Sequence, residues 1–145
     1  MSNDKVLGSW TLEAYQFIDG DGAVTYPMGD DAFGMIIYAA DGHMCANLME
    51  GNRPKYVGKD RINATADEKV QAHDSHLSYC GTWKIEGGQA VHTVTGSSFP
   101  NFIGHKLVRD MTWEGDDILI LTTPPVKEGD QVATAKLRWR RASAG

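Results

Sequence analysis

The chain has 145 residues, a formal net charge of −5 and 41 % hydrophobic residues. This length predicts a single domain over residues 1–145, and the apolar content is sufficient for a packed core and excludes a disordered chain. The acidic balance, with Lys and Arg clustered only at Arg138, Arg140 and Arg141, argues against nucleic acid or an anionic membrane surface as a partner.

The N-terminal segment, MSNDKVLGSW, lacks the apolar core of a secretory signal. No apolar run in the chain approaches the roughly 20 residues that a membrane-spanning helix needs. Together these features predict a cytoplasmic protein that does not enter a membrane.

The first predicted strand covers residues 8–19, GSWTLEAYQFID, and ends in the turn DGDG. Its alternation separates two sets of side chains, which are Trp10, Leu12 and Ala14 on one face and Thr11, Glu13 and Tyr15 on the other. The alternation predicts that the face with Trp10 packs into the core.

A hairpin is predicted in residues 36–49, IIYAADGHMCANLM, where Asp41-Gly42 favours a two-residue turn. Such a turn pairs Tyr38 with Cys45. It also separates an apolar set, Met35, Ile37, Met44 and Leu48, from a polar set, Tyr38, His43, Cys45 and Asn47. Either the apolar set fills the barrel, or it lies under a helix and the polar set lines a cavity. The sequence leaves both arrangements open.

One helix is predicted over residues 66–79. Thr65 and Glu68 have the spacing of a capping box, which marks the first turn. Apolar and weakly polar residues then recur on one stripe, which consists of Ala66, Val70, His73, Leu77 and Cys80. The helix is expected to end before Gly81.

The remaining chain is rich in strand patterns. These patterns cover residues 82–88, 89–99, 104–115, 117–125 and 132–141. Eight to nine antiparallel strands with short turns and one short helix predict an all-β fold. The expected architecture is a closed up-and-down barrel, and the alternative is a sandwich. A barrel of this size has room for side chains and one small ligand.

Strand alternation places two polar side chains on apolar faces. His92 shares a face with Ala90 and Val94, and Arg109 shares one with Leu107 and Met111. Arg109 is either a structural residue tied to a carboxylate or carbonyls, or a cation that binds a ligand oxygen. His92 is either a core histidine held by one neighbour or a general base.

Further residues are candidates for the wall of a cavity. Tyr79 is expected near one end of the barrel, where it either caps the core or leans over the mouth. Asn101, in the turn FPNF, either serves the turn or lines the rim. The full set of expected ligand-binding residues is Tyr38, His43, Asn47, Trp83, Asn101, Met111 and Trp139.

No metal or cofactor site is predicted. His73 and His76 lie three apart, but the chain has no HExxH and no Cys/His grouping, and it has no GxGxxG, P-loop or GxSxG motif. Cys45 and Cys80 are expected to be free, buried thiols.

Several segments carry a resemblance to a known family. Gly8-Ser9-Trp10 matches the Gly-x-Trp opening of lipocalin-type barrels, and the last strand, LRWRR, is similar to theirs. The similarity extends over residues 6–141 through GSWTLEAYQF, YPMGDDAFGMIIYAADGHMCANLM, YCGTWKI, VHTVTGSSFPNFIG, LVRDM and LILTTPP. The chain thus resembles the bacterial and fungal lipocalin-like domain family. The resemblance implies a lipocalin-like barrel with an interior cavity, in which a late Arg packs on Trp10 through a cation–π contact.

Related barrels include ligand carriers and cofactor-free cyclases, isomerases and lyases. The first hypothesis is therefore an enzyme for a largely apolar small molecule, in which His92 moves a proton and Arg109, with Tyr79 or Tyr38, stabilises an oxyanion. The reaction would be an isomerisation, cyclisation or elimination without a cofactor. The alternative is a carrier in which the same groups only orient the ligand. A third interpretation is a homodimer formed through the polar hairpin face.

Overall fold

The computed structural model of the protein describes residues 3–144, apart from the side chains at positions 3, 128 and 131. Its strands are β1 (Gly8–Ile18), β2 (Val24–Thr25), β3 (Phe33–Tyr38), β4 (His43–Met49), β5 (His76–Glu86), β6 (Gln89–Ser97), β7 (Lys106–Glu114), β8 (Ile118–Thr122), β9 (Val126–Glu128) and β10 (Gln131–Arg141). Its helices are α1 (Ala66–Asp74) and two 3₁₀ helices, Asn3–Val6 and Pro100–Phe102. No helix among the described residues is long and apolar enough to cross a membrane.

The strands form one closed antiparallel sheet. The order is β2-β1-β3-β4-β5-β6-β7-β8-β10-β9, and pairing between β1 and β10 closes the ring. Eight long strands make the barrel, while β2 and β9 only extend β1 and β10 at its rim. The predicted all-β, antiparallel barrel with one short helix is therefore confirmed. Closure pairs the edges that an open sheet would expose to other chains.

The two ends of the barrel differ. Tight turns join β3 to β4, β5 to β6 and β7 to β8 at one end, where the N-terminal 3₁₀ helix also packs. Trp10 is fully buried there, and its Nε1 donates to the Val6 carbonyl at 2.9 Å. The Arg141 guanidinium lies 4.3 Å from the Trp10 ring, so the Arg–Trp contact implied by the resemblance is confirmed. The longer connections gather at the opposite end, which leaves that end to form the mouth.

The hairpin of β3 and β4 has a four-residue loop, and the predicted two-residue turn is wrong. The Ala39 N–H donates to the His43 carbonyl at 2.9 Å, so Tyr38 pairs with Met44 and not with Cys45. This shift of one residue changes which side chains share a face. Tyr38 therefore points inward with Met44, while Cys45 and Asn47 point outward.

Helix α1 is shorter than predicted. The capping box of Thr65 and Glu68 is confirmed, but the helix ends at Asp74 and β5 already begins at His76. Residues 76–82 pair with β4, and this long-range ladder overrides the helical spacing of Leu77 and Cys80. None of the residues of α1 is buried, so no apolar stripe packs on the barrel.

The two cysteines are free, as expected, but their predicted burial is wrong. Cys45 is exposed and Cys80 is half-buried. They face each other across β4 and β5 on the outer surface. The alternate residues of β4, Met44, Ala46 and Leu48, fill the core, so Cys45 lies on the outer face of that strand.

Candidate functional site

The barrel encloses a cavity of about 720 Å³. This volume is within the range typical of small-molecule sites. Its apolar wall is formed by Phe17, Pro27, Met28, Ile36, Ala46, Leu48, Leu77, Phe99, Phe102, Leu121, Val126, Ala135 and Leu137. Polar side chains on the wall are few, namely Tyr15, Tyr79, Arg109, Thr123 and Trp139. At the mouth the cavity meets His73, Asp74, His76 and Lys127.

Three buried side chains from three strands form a hydrogen-bonded chain. His92 of β6 has no exposed surface, and Tyr38 of β3 and Tyr79 of β5 flank it. The Tyr38 hydroxyl lies 2.7 Å from His92 Nε2, and the Tyr79 hydroxyl lies 2.9 Å from Nδ1. Both imidazole nitrogens are therefore occupied. Tyr79 lines the cavity, whereas Tyr38 and His92 lie behind the wall.

Burial keeps this chain of groups uncharged at neutral pH. Desolvation, with a smaller contribution from the Arg109 charge, lowers the pKa of His92 from 6.5 to about 3. Burial also raises the pKa of Tyr38 well above its usual value. The pKa of Tyr79 is raised by burial too, although the nearby Arg109 guanidinium counters part of that effect. The imidazole is thus a neutral donor and acceptor between two protonated phenols.

Arg109 brings a positive charge to the cavity wall. It is half-buried on β7, and its Nη1 donates to the Val108 carbonyl at 3.2 Å. Among the described residues, no carboxylate lies within 4.0 Å of its guanidinium nitrogens. The Arg109 side chain also hydrogen-bonds the Tyr79 phenol, so its partners are one carbonyl and one phenol oxygen, and the remaining N–H donors are available to a ligand.

Trp139 lines the cavity and has a buried indole N–H. It is only 2 % exposed, and its indole Nε1 is the one buried side-chain nitrogen or oxygen without a hydrogen-bond partner in the described part of the chain. Buried donors normally have partners, and an indole N–H can only donate. The other indoles at the core are satisfied, since Trp10 donates to Val6 and Trp83 donates to the Ala39 carbonyl at 2.9 Å.

Four of the ten candidate residues come together at this site. These are Tyr38, Tyr79, His92 and Arg109, and Trp139 lies on the same cavity wall. Trp83 and Met111 pack against the core without lining the cavity. Trp83 nevertheless supports the site, because its ring packs edge-on against Tyr38 with centroids 5.1 Å apart.

The structure does not place the other three candidates in the cavity. His43 is exposed beside Asp41, with 3.1 Å between Nδ1 and the carboxylate. Asn47 is exposed on the outer face, where it meets His76. Both alternate along β4 with the buried residues Met44, Ala46 and Leu48, which places them on the outer face. Asn101 is exposed in the short 3₁₀ helix that follows Phe99, and its backbone serves that turn.

Sequence reasoning missed Tyr15 and Phe17 as cavity residues. The predicted alternation of the first strand placed Tyr15 on the outer face, together with Glu13. A bulge between Leu12 and Ala14 reverses the alternation, so Tyr15 and Phe17 point inward. The sequence signal for this change is the pair of aromatic residues, Tyr15 and Phe17, at alternate positions near the end of the strand.

Metal ligands do not gather in the described part of the chain. No group of three or more His, Cys, Asp or Glu side chains there is placed to hold a metal ion. The polar groups that reach the cavity are instead suited to hydrogen bonds with an organic ligand.

Comparisons with known proteins agree with the cavity. A family model described as the lipocalin-like domain matches residues 7–142. The chain is 26 % identical over 106 residues to the 4'-hydroxy-3'-methoxypropiophenone carrier protein ppsC of Aspergillus oryzae, a match that covers 68 % of this chain and 96 % of that protein.

Solved structures with similar folds are distant in sequence. One is a de novo designed fluorescence-activating β-barrel, with 12 % identity, a TM-score of 0.46, and coverage of 98 % of this chain and 100 % of that one. Another is a mutant of the fluorescent protein UnaG, with 13 % identity, a TM-score of 0.42, and coverage of 99 % and 100 %.

Proposed function

The chain belongs to the lipocalin-like domain family, and we propose that this small-molecule-binding barrel is a carrier that holds its ligand without transforming it. The ligand is a largely apolar molecule of one or two rings, or of similar bulk. The observation that carries this proposal is the cavity of about 720 Å³ with a mostly apolar wall and a few placed donors.

The state of His92 supports a carrier over an enzyme. Isomerisation, cyclisation or elimination by proton transfer needs a base within hydrogen-bond reach of the ligand and a pKa near the working pH. His92 does not line the cavity, both of its nitrogens are occupied, and its pKa is lowered to about 3. In this proposal His92 holds the two tyrosines in place.

The similar fungal protein points in the same direction. Its name describes a carrier of an aryl ketone that bears hydroxyl and methoxy groups. An aromatic ketone has an apolar ring for the wall and a carbonyl oxygen for the donors Tyr79 and Arg109. We therefore include aryl ketones and related phenols among the proposed ligands. The homodimer expected from the sequence remains a separate prediction.

Calorimetric titration with 4'-hydroxy-3'-methoxypropiophenone, followed by recovery of the compound, tests the proposal. We expect one molecule to bind per chain and to be recovered unchanged after prolonged incubation, as judged by chromatography and mass spectrometry. Conversion of the compound, with a rate that depends on His92, would restore the enzyme hypothesis. Failure to bind this compound and neutral aromatic probes alike would contradict both.

A further inference from the structure

We propose that the ligand is an anion, and that its negatively charged oxygen is held by Arg109 and Tyr79. The class is an amphiphilic acid, an apolar molecule that carries a single carboxylic acid or acidic phenol. This inference rests on the proposed function, because it describes the ligand of the same cavity. It adds a preference for negative charge that a carrier of neutral molecules does not have.

The charge on the inner cavity wall is not balanced. Arg109 is the one Lys, Arg, Asp or Glu side chain that lines the described cavity away from its mouth. Apart from the tyrosines, the other titratable lining groups belong to the mouth and include both signs of charge. They are His73, Asp74, His76 and Lys127. A half-buried guanidinium without a carboxylate partner attracts an anionic oxygen that enters the cavity, because charge-assisted hydrogen bonds are stronger than neutral ones. A ligand with one negative charge would neutralise the wall.

The hydrogen-bonded chain of Tyr38, His92 and Tyr79 has one more proton than its two hydrogen bonds use. A neutral imidazole has one N–H, so it accepts from one phenol and donates to the other. Two hydrogen bonds thus use two of the three protons, and the phenol that accepts from His92 keeps its own. Tyr38 is 1 % exposed and has no further acceptor among the described contacts, whereas Tyr79 lines the cavity. The least costly arrangement has Tyr38 donating to Nε2 and the Nδ1–H donating to Tyr79. The Tyr79 proton then points to the ligand.

The polar groups on the wall offer hydrogen-bond donors in excess of acceptors. Arg109 can only donate, and Tyr79 donates the proton that His92 does not use. The Thr123 hydroxyl oxygen already accepts from the Ala135 N–H at 3.0 Å. A site of this kind favours an oxygen anion, which accepts several hydrogen bonds, over an amine or amide ligand.

Two fluorescent probes with the same ring system test whether the cavity prefers a negatively charged ligand. N-phenyl-1-naphthylamine is neutral, and 8-anilinonaphthalene-1-sulfonate adds one anionic group. We expect both to bind, with the sulfonate binding at least tenfold more tightly at pH 7. We expect Arg109→Gln to remove that preference and to leave the affinity for the neutral probe within about twofold. Lys106→Gln is the matched control, since it removes the same charge from the exposed start of the same strand.

The outcomes separate this inference from the proposed function. If the neutral probe binds the wild type and the sulfonate binds no more tightly, the anion is contradicted and the carrier stands. If neither probe binds, the proposed function fails. If Arg109→Gln does not fold, the inference is tested on the wild type alone. The measurements are then its preference for the sulfonate over the neutral probe, and the displacement of bound probe by 2-naphthoate compared with 2-naphthamide. Equal displacement by that pair would overturn the inference.

Discussion

The hydroxyl of Tyr38 lies 2.7 Å from Nε2 of His92, although the two residues are 54 positions apart in the chain. This contact joins β3 to β6 across the barrel interior, and Tyr79 of β5 closes the chain of groups on the other nitrogen. Because the three strands come from separate parts of the sequence, the contact orders the barrel as well as the cavity wall. Its energetic and chemical consequences can be measured separately.

Removing the Tyr38 hydroxyl should destabilise the fold. Tyr38→Phe keeps the ring but leaves Nε2 of His92 as a buried acceptor without a donor, which costs about 1–3 kcal/mol. Chemical denaturation monitored by tryptophan fluorescence measures the loss. Tyr26→Phe, at an exposed ring on the surface, is the control and should change stability by less than about 0.5 kcal/mol. Equal effects of the two substitutions would contradict the buried hydrogen bond.

Acidification should destabilise the protein through His92. Because the folded-state pKa is lowered from 6.5 to about 3, the folded protein binds fewer protons than the unfolded chain between these values. The contribution to stability is fully present above pH 6.5 and is lost as the pH falls toward 3. Between pH 6.5 and 4 the unfolding free energy of the wild type should fall about 1.4 kcal/mol per pH unit more steeply than that of His92→Gln. Carboxylates with a lowered pKa, such as Glu13, titrate in both proteins and cancel. Identical slopes would show that His92 is not buried in its neutral form.

The tautomer of His92 is a direct prediction of the proton count. Long-range ¹H–¹⁵N spectra of the histidine rings should show a protonated Nδ1 and an unprotonated Nε2 at pH 7, with the resonance assigned by its absence in His92→Gln. This order leaves the Tyr79 proton for the ligand. The opposite tautomer would move that free proton to Tyr38 and remove one donor from the cavity.

Gly81 should be indispensable to the strand that carries Tyr79. A Cβ at this position would lie 1.9 Å from the Thr93 carbonyl oxygen, at the irregularity between Cys80 and Gly81. Gly81→Ala must therefore push β5 and β6 apart, and we expect the free energy of unfolding to fall by about 1–3 kcal/mol. Gly58→Ala is the control, because no atom lies within 4 Å of the Cβ built there. Wild-type stability in Gly81→Ala would contradict the close approach of the two strands.

Much of this architecture could be predicted from local sequence. Alternation along β6 and β7 correctly placed His92 and Arg109 on apolar faces, because the side-chain period of a strand is local. The capping box likewise located the start of α1. Both kinds of feature depend on residues that are only a few positions apart in the chain.

The rest depends on contacts that local patterns do not encode. The hairpin loop has four residues instead of two. Tyr38 and Asn47, which were expected on one face of the hairpin, therefore lie on opposite faces, with Tyr38 buried and Asn47 exposed. A bulge in β1 turned Tyr15 inward, and pairing with β4 drew residues after His76 out of the predicted helix. Each error is a change of register by one residue or a preference overridden by a distant strand. The contact of His92 with two tyrosines follows only when three strands are aligned.

The most direct test of the central claim is the indole N–H resonance of Trp139 during titration with N-phenyl-1-naphthylamine. The cavity account predicts that this resonance, assigned by its loss in Trp139→Phe, shifts as the probe fills the barrel. The resonances of Trp10 and Trp83, whose N–H groups are bound to backbone carbonyls, serve as internal references and should move little. Probe binding that leaves Trp139 unmoved, or that shifts all of these indoles alike, would contradict a ligand site inside the barrel.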